Sequence, residues 1–148
     1  MTIQPLSPLL ALRSVDLQDA DDRQRVDSYV RSHPQGTPFH LPAWSVAVAQ
    51  GCSQISHTLV AERADGSIAG LLPLTEVRSR LFGKALVSNG FAVGGGILAD
   101  NPAAVAALAD AGWSLAQRLH CPTLELRGGA MPEGPWDFDD HSYLGFVR

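Results

Sequence analysis

Three groups of side chains in this sequence are suited to chemistry. Arg78, Arg80 and Lys84 place three positive charges within seven residues around a turn. Such a cluster can meet a phosphate of a tRNA or a nucleotide-linked precursor, or stand as a solvated basic turn with Leu81 and Phe82 packed inward. Glu125 and Arg127 share one strand face and can line a substrate groove, with Glu125 as a base if burial raises its pKa. The same spacing also serves to partner neighbouring strands. His40 precedes Leu41-Pro42 and Trp44 at a loop-to-helix entry, where a histidine beside tryptophan binds a ligand or simply caps and packs. The backbone adds four glycines among the seven residues 90–96, with Gly94, Gly95 and Gly96 in a row. A glycine-rich loop between strand and helix is where α/β folds often hold ligands, and it is equally a tight route across a sheet edge.

Other chemistries leave no recognisable pattern. His120-Cys121 lacks a second ligand pair at zinc spacing, so no metal is expected. Two cysteines, Cys52 and Cys121, are read as buried structural thiols in a reducing cytoplasm rather than a disulfide framework. His33, His57 and His141 have no evident partners and are expected at the surface. Glu133, Asp137, Asp139 and Asp140 form an acidic loop without calcium-loop spacing, hence a solvated one. No phosphate-binding P-loop is present, and no Ser-His-Asp or Cys-His order is recognisable. The net charge of −4 argues against a general nucleic-acid clamp, which needs clustered positive charge. No stretch of about 20 apolar residues occurs, so no membrane span is expected, and the residues 1–16 lack the pattern of a signal peptide.

The elements that must position these residues follow from periodicity and punctuation. At 148 residues the chain is expected to be one domain with a real core. Residues 9–15 read as a strand. Asp19 or Asp21 caps a helix to about residue 31, with Val26, Tyr29 and Val30 as its stripe. A second helix is predicted over 42–50, opened by Pro42 and stopped by Gly51. Strands over 57–63 and 67–77 flank Asp65-Gly66, a strong hairpin signal. Gly70 and Pro73 inside the second warn of a bulge or an interrupted ladder. A turn over 78–83 and a strand over 84–89 lead into the glycine loop. Asp100 or Asn101, with Pro102, opens a helix whose Val105, Leu108, Gly112, Leu115, Ala116 and Leu119 share one face. Gly112 there allows close approach to a sheet. Strands over 122–127 and 142–147 complete a β-α-α-β-β-β-α-β-β order, a mixed α/β sheet.

That order resembles the first two-thirds of the GNAT acyltransferase fold. The segments His40-Leu41-Pro42-Ala43-Trp44, Ile68-Ala69-Gly70-Leu71-Leu72-Pro73-Leu74, Ser79-Arg80-Leu81-Phe82-Gly83, Leu86-Val87-Ser88, Gly94-Gly95-Gly96-Ile97-Leu98 and Leu124-Glu125-Leu126-Arg127 resemble the N-terminal half of FemAB-related proteins. The nearest likeness is to the group associated with exosortase and exopolysaccharide systems. The resemblance implies a GNAT-like, mostly antiparallel sheet flanked by helices (α+β), and one half of a two-domain N-acyltransferase. It implies aminoacyl or acyl transfer to an amine of a cell-envelope or polysaccharide precursor, in the cytoplasm. Its partners would be the missing C-terminal GNAT-like domain or a second copy. GNAT domains that use acetyl-CoA hold its pyrophosphate in an Arg/Gln-x-x-Gly-x-Gly/Ala loop opening a helix. Here the leading Arg or Gln is missing and Gly94, Gly95 and Gly96 sit upstream of the helix start. The expectation is therefore a domain without a cofactor and inactive by itself. A self-contained acetyl-CoA or acyl-CoA enzyme is the first alternative. A non-catalytic binding or dimerisation module, pairing through the apolar residues 143–147, is the second.

Overall fold

The structure, a computed structural model, describes residues 9–81 and 83–141. In chain order the elements are β1 (Ala11–Val15), α1 (Ala20–Ser32), a 3-10 turn (Pro38–His40), α2 (Pro42–Cys52), β2 (Ile55–Glu62), β3 (Ile68–Ser79), β4 (Gly83–Ser88), β5 (Leu98–Ala99), α3 (Pro102–Arg118) and β6 (Leu124–Leu126). The expected strand over 142–147 and the packing of Phe82 lie outside the described residues.

β3 is the centre of the sheet because its sequence is apolar on both faces. Residues 68–76 are all buried, as a strand covered on both sides requires. The strand order is β1-β2-β3-β4-β6, with the two-residue β5 pairing β3 beside β4. All pairings are antiparallel except β4 with β6. This is the mixed, mostly antiparallel sheet flanked by helices that the family resemblance implied. The Gly70 warning has a counterpart: the β2–β3 register shifts between Ala61 and Glu62, opposite Gly70 and Ile68. Gly70 also admits α3, since a Cβ there would lie 2.8 Å from Leu108 Cδ1 and 3.3 Å from Ala104 Cβ. Pro73 stays in the ladder opposite Thr58.

Each helix covers the face its stripe dictates. Asp19 caps α1 by accepting from the Asp22 amide, and Val26 and Val30 bury against Val60, Ile68, Leu71 and Leu98. Asn101 caps α3 through the Ala104 amide, with Pro102 in the first turn. Leu108, Ala109, Gly112 and Ala116 then face Leu59, Leu72, Leu74 and Leu86 on the opposite side of the sheet. Burying leucines such as these stabilises the fold by about 2 kcal/mol apiece. A Cβ on Gly112 would lie 3.1 Å from Leu72 Cδ2, so the expected close approach of helix to sheet is present. An ionic lattice fixes α1 to β1 and β2. Arg13 meets Asp22 and Glu62 at 2.7 and 3.1 Å, and Arg25 meets Glu62 at 2.8 Å.

Four expectations need correction. α2 runs through Gly51 to Cys52 and stops at Ser53, whose left-handed φ of 53° turns the chain into β2. Leu81 is 83% exposed rather than packed inward; it lies past Ser79, the last residue of β3, which pairs with Gly83. Cys52 is exposed at the end of α2, and only Cys121 is buried. The histidines divide. His141 is exposed, but the His33 side chain is 8% exposed beside Asp100 and His57 is 20% exposed beside Glu76. Among the described residues, no helix is long and apolar enough to cross a membrane and no three His, Cys, Asp or Glu form a metal cluster.

Candidate functional site

The glycine loop is tightly constrained by its neighbours. Between β4 and α3 the chain doubles across the ends of β4 and β6. Gly94, at φ 101°, donates its amide to the Arg127 carbonyl at 3.2 Å, and the Ala130 amide returns to the Ile97 carbonyl at 2.8 Å. Ile97 and Gly129 form a parallel bridge. The two chains touch so closely that a Cβ on Gly96 would lie 1.8 Å from the Gly128 carbonyl oxygen. Gly128 and Gly129 themselves adopt φ of 67° and 75°, which favours glycine. The triple glycine is a backbone-on-backbone crossing.

Four side chains clasp this loop to the segment that enters α2. Thr37 Oγ1 donates to the Gly94 carbonyl at 3.2 Å, His40 Nε2 to that of Gly96 at 3.0 Å, and Trp44 Nε1 to that of Gly90 at 3.1 Å. From the other side, Asn89 Nδ2 donates to the Phe39 carbonyl and to Ser45 Oγ. Thr75 Oγ1 donates to Asn89 Oδ1 and accepts from the Gly90 amide, at 2.9 and 3.0 Å. His40, Ser45, Thr75 and Asn89 are all buried, and a buried polar network holds one geometry only when its members are satisfied. His40 and Trp44 therefore meet the glycines, as parts of a clasp. The clasp displays Phe91, 59% exposed and held at a φ of 59° unusual for an aromatic residue, and Val93 beside it.

The basic turn folds back on a carboxylate. Glu76 is 1% exposed; Arg78 Nη2 and Lys84 Nζ reach its Oε1 at 2.9 and 3.0 Å. Lys84 also donates to the Leu119 carbonyl at the end of α3, where the helix dipole favours a cation. Burial pushes the Glu76 carboxyl up, but Lys84 and Arg78 hold it below the ordinary carboxylate range. His57 Nε2 stands 3.6 Å from Glu76 Oε2, too far for a hydrogen bond, and is buried without another partner. Arg80 lies exposed at the tip of the same turn. Glu125 on β6 and Arg127 just past its end pair with each other at 2.7 Å. Glu125 is exposed and Arg127 half-buried.

At the start of α3, Asp100 gathers Arg63, Tyr29 and His33. Burial and the Asp100 carboxylate raise the Tyr29 phenol well above its usual pKa. A cleft of ≈ 450 Å³ lies beside it, lined by Asp100, Asn101, Pro102, Val105, Met131 and Glu133 among others. Pro102 has no N–H, Asn101 Oδ1 occupies that of Ala104, and the rim carries two acids.

Glu76, Asn89 and Thr75 escape a reading of residue types. Glu76 breaks an apolar run, and an acid buried in a central strand demands cations, which Arg78 and Lys84 supply two and eight residues on. That signal was present in the spacing. Asn89 at the strand end carries no local signal, because its partners come from residues 39, 45 and 75.

No family model matches the chain, and no curated protein matches it. Solved structures do. The chain is similar to a ribosomal-protein-alanine N-acetyltransferase from Brucella melitensis biovar Abortus, at 16% identity and a TM-score of 0.59, covering 91% of this chain and 98% of that one. It is also similar to a GNAT family acetyltransferase of Staphylococcus aureus, at 14% identity and a TM-score of 0.50, covering 89% and 98%. At such identities the likeness shows the fold, and the fold is GNAT-like.

Proposed function

We propose that this chain is a GNAT-like N-acyltransferase domain of the FemAB-related kind. It forms one wall of the acceptor groove, while the acyl or aminoacyl donor is held by a second GNAT-like domain or a second copy. The observation that supports this is the state of the loop between β4 and α3. A pyrophosphate cradle needs several backbone amides aimed outward at a helix start. Here the amides of Gly90, Ala92 and Gly94 bond to Thr75, Asn89 and Arg127, and Asn101 occupies the Ala104 amide. Glu133 would further repel an anion at the same place. Those four amides are committed inside the protein and not free for the pyrophosphate of CoA, which supports the reading, and no acyl-transfer step is assigned to them. Calorimetry of the purified chain with acetyl-CoA tests the reading. We expect no binding heat at millimolar ligand and no aminoacyl or acetyl transfer by the chain alone. Micromolar affinity would overturn it in favour of a self-contained acetyl-CoA enzyme.

A further inference from the structure

We propose that His40 is a proton-operated latch on the glycine loop, holding the Gly94–Gly96 crossing closed when neutral and releasing it when protonated. The tautomer follows from its partners. A carbonyl oxygen can only accept, so Nε2, 3.0 Å from the Gly96 oxygen, carries the proton. Nδ1 is then the acceptor, and the Thr37 amide donates to it at 3.1 Å. With 2% exposure the neutral ring is fully satisfied in this position.

A second proton must go on Nδ1, and the consequences can be followed bond by bond. Nδ1 becomes a donor and turns to Thr37 Oγ1, 2.8 Å away, which keeps its own hydrogen for the Gly94 carbonyl. The Thr37 amide loses its acceptor. The Gly96 bond strengthens, because its donor is now charged. Against these two gains stand an orphaned amide and the desolvation of a buried cation. Among the described residues, the groups bonded to the ring supply no counter-charge: Thr37 offers an amide and a hydroxyl, Gly96 a carbonyl, and Thr75 belongs to the neutral network behind. The titratable group acting on the ring is His33 at the end of α1, itself 3.5 Å from Asp100 Oδ1, and as a cation it adds repulsion. Burial, offset in part by the Gly96 carbonyl, accordingly holds the ring below the ordinary histidine range. Opening the crossing returns His40 to water, where a histidine titrates near 6.5. By linkage, acidification from pH 7.5 to 5.0 raises the opening equilibrium by up to about thirtyfold.

Release would free Phe91 and Val93 from their fixed display and uncover the Gly128–Gly129 backbone. Hydrogen exchange on the intact chain reads it directly, after correction for the pH dependence of chemical exchange. The Gly94 and Ala130 amides should lose about tenfold in protection between pH 7.5 and 5.0, while α3 amides keep theirs. His40→Gln, which can accept and donate but cannot titrate, should abolish that pH dependence. If this variant does not fold, a histidine NMR titration of the wild type decides instead. The His40 ring and the loop amides should then titrate together, at one midpoint below the ordinary histidine value. Protection that is constant with pH, a dependence that survives in His40→Gln, or separate midpoints would each overturn the latch.

Discussion

At the residue scale, Glu76 shows how a charge can be buried in a sheet and still stabilise it. Its carboxylate is out of water, and the partners that hold it, Arg78 and Lys84, keep their stems along the sheet and their far sides in solvent. Glu76→Gln removes the charge and leaves both cations facing a neutral amide. Removing one member of a buried pair typically costs several kcal/mol; with half-exposed partners we expect about 2 kcal/mol in urea denaturation at pH 7. The pH dependence has a definite sign. The folded-state pKa lies below the unfolded one, so the stabilisation is complete above the ordinary glutamate range and disappears as pH falls through the folded value. Between pH 7 and 3 the wild type should therefore lose more stability than Glu76→Gln. Parallel curves would mean that the cluster contributes nothing at equilibrium. The sequence showed the three cations clearly but assigned them to an external phosphate or to solvent. The spacing of Glu76 to Arg78 and Lys84 carried the signal that two of them serve a residue within their own hairpin, and a reading by residue type passed over it.

At the scale of elements, the crossing of residues 94–97 over 127–130 is set by glycines that have no room for a side chain. Gly96→Ala puts a Cβ into a backbone oxygen, which cannot rotate away as a side chain would. Overpacking of this kind costs about 2–3 kcal/mol, and the Ala130 amide should exchange freely with solvent. Gly51 provides the contrast. It lies inside α2 with nothing within 4 Å of an added Cβ, so Gly51→Ala should stabilise the chain by about 0.5–1 kcal/mol through helix propensity. Thermal denaturation of the two variants side by side should give midpoint shifts of opposite sign; shifts of the same sign would contradict the assigned contacts. The same pair explains which elements were legible. Asp19 and Asn101 were each one of two readable candidate caps, beside Asp21 and Asp100, and α3 a readable stripe, since their signals lie within a few residues. Gly51 read as a stop because glycine usually is one, whereas the end of α2 is set by Ser53, where the chain must turn to meet β2. β5 is two residues long and exists through its pairing with Gly70 and Leu71, a contact without local periodicity.

At the scale of the molecule, the distribution of charge decides what can approach. The chain carries a net charge of −4, and many of its cations are committed to its own acids. Arg13 and Arg25 hold Asp22 and Glu62, Arg31 holds Asp27, Arg63 holds Asp100, Arg78 and Lys84 hold Glu76, and Arg127 holds Glu125. Nucleic-acid affinity grows with the number of phosphates neutralised and the counterions released. A chain with many of its guanidinium groups already neutralised, under an overall negative field, gains little by releasing ions. If the tRNA or nucleotide-linked donor of a FemAB-like reaction is held by another domain, this one has no need of such contacts. Fluorescence anisotropy with labelled tRNA at physiological salt should show no saturable binding below about 100 µM, the weak end of non-specific affinity. Arg80→Ala, at the exposed tip of the basic turn, should leave that result unchanged. Low-micromolar binding that weakens steeply with salt would require Arg78 and Lys84 to leave Glu76 for phosphate, and Glu76→Gln should then tighten it by freeing them. That outcome would place a donor-binding surface on this domain and overturn the division of labour proposed for it.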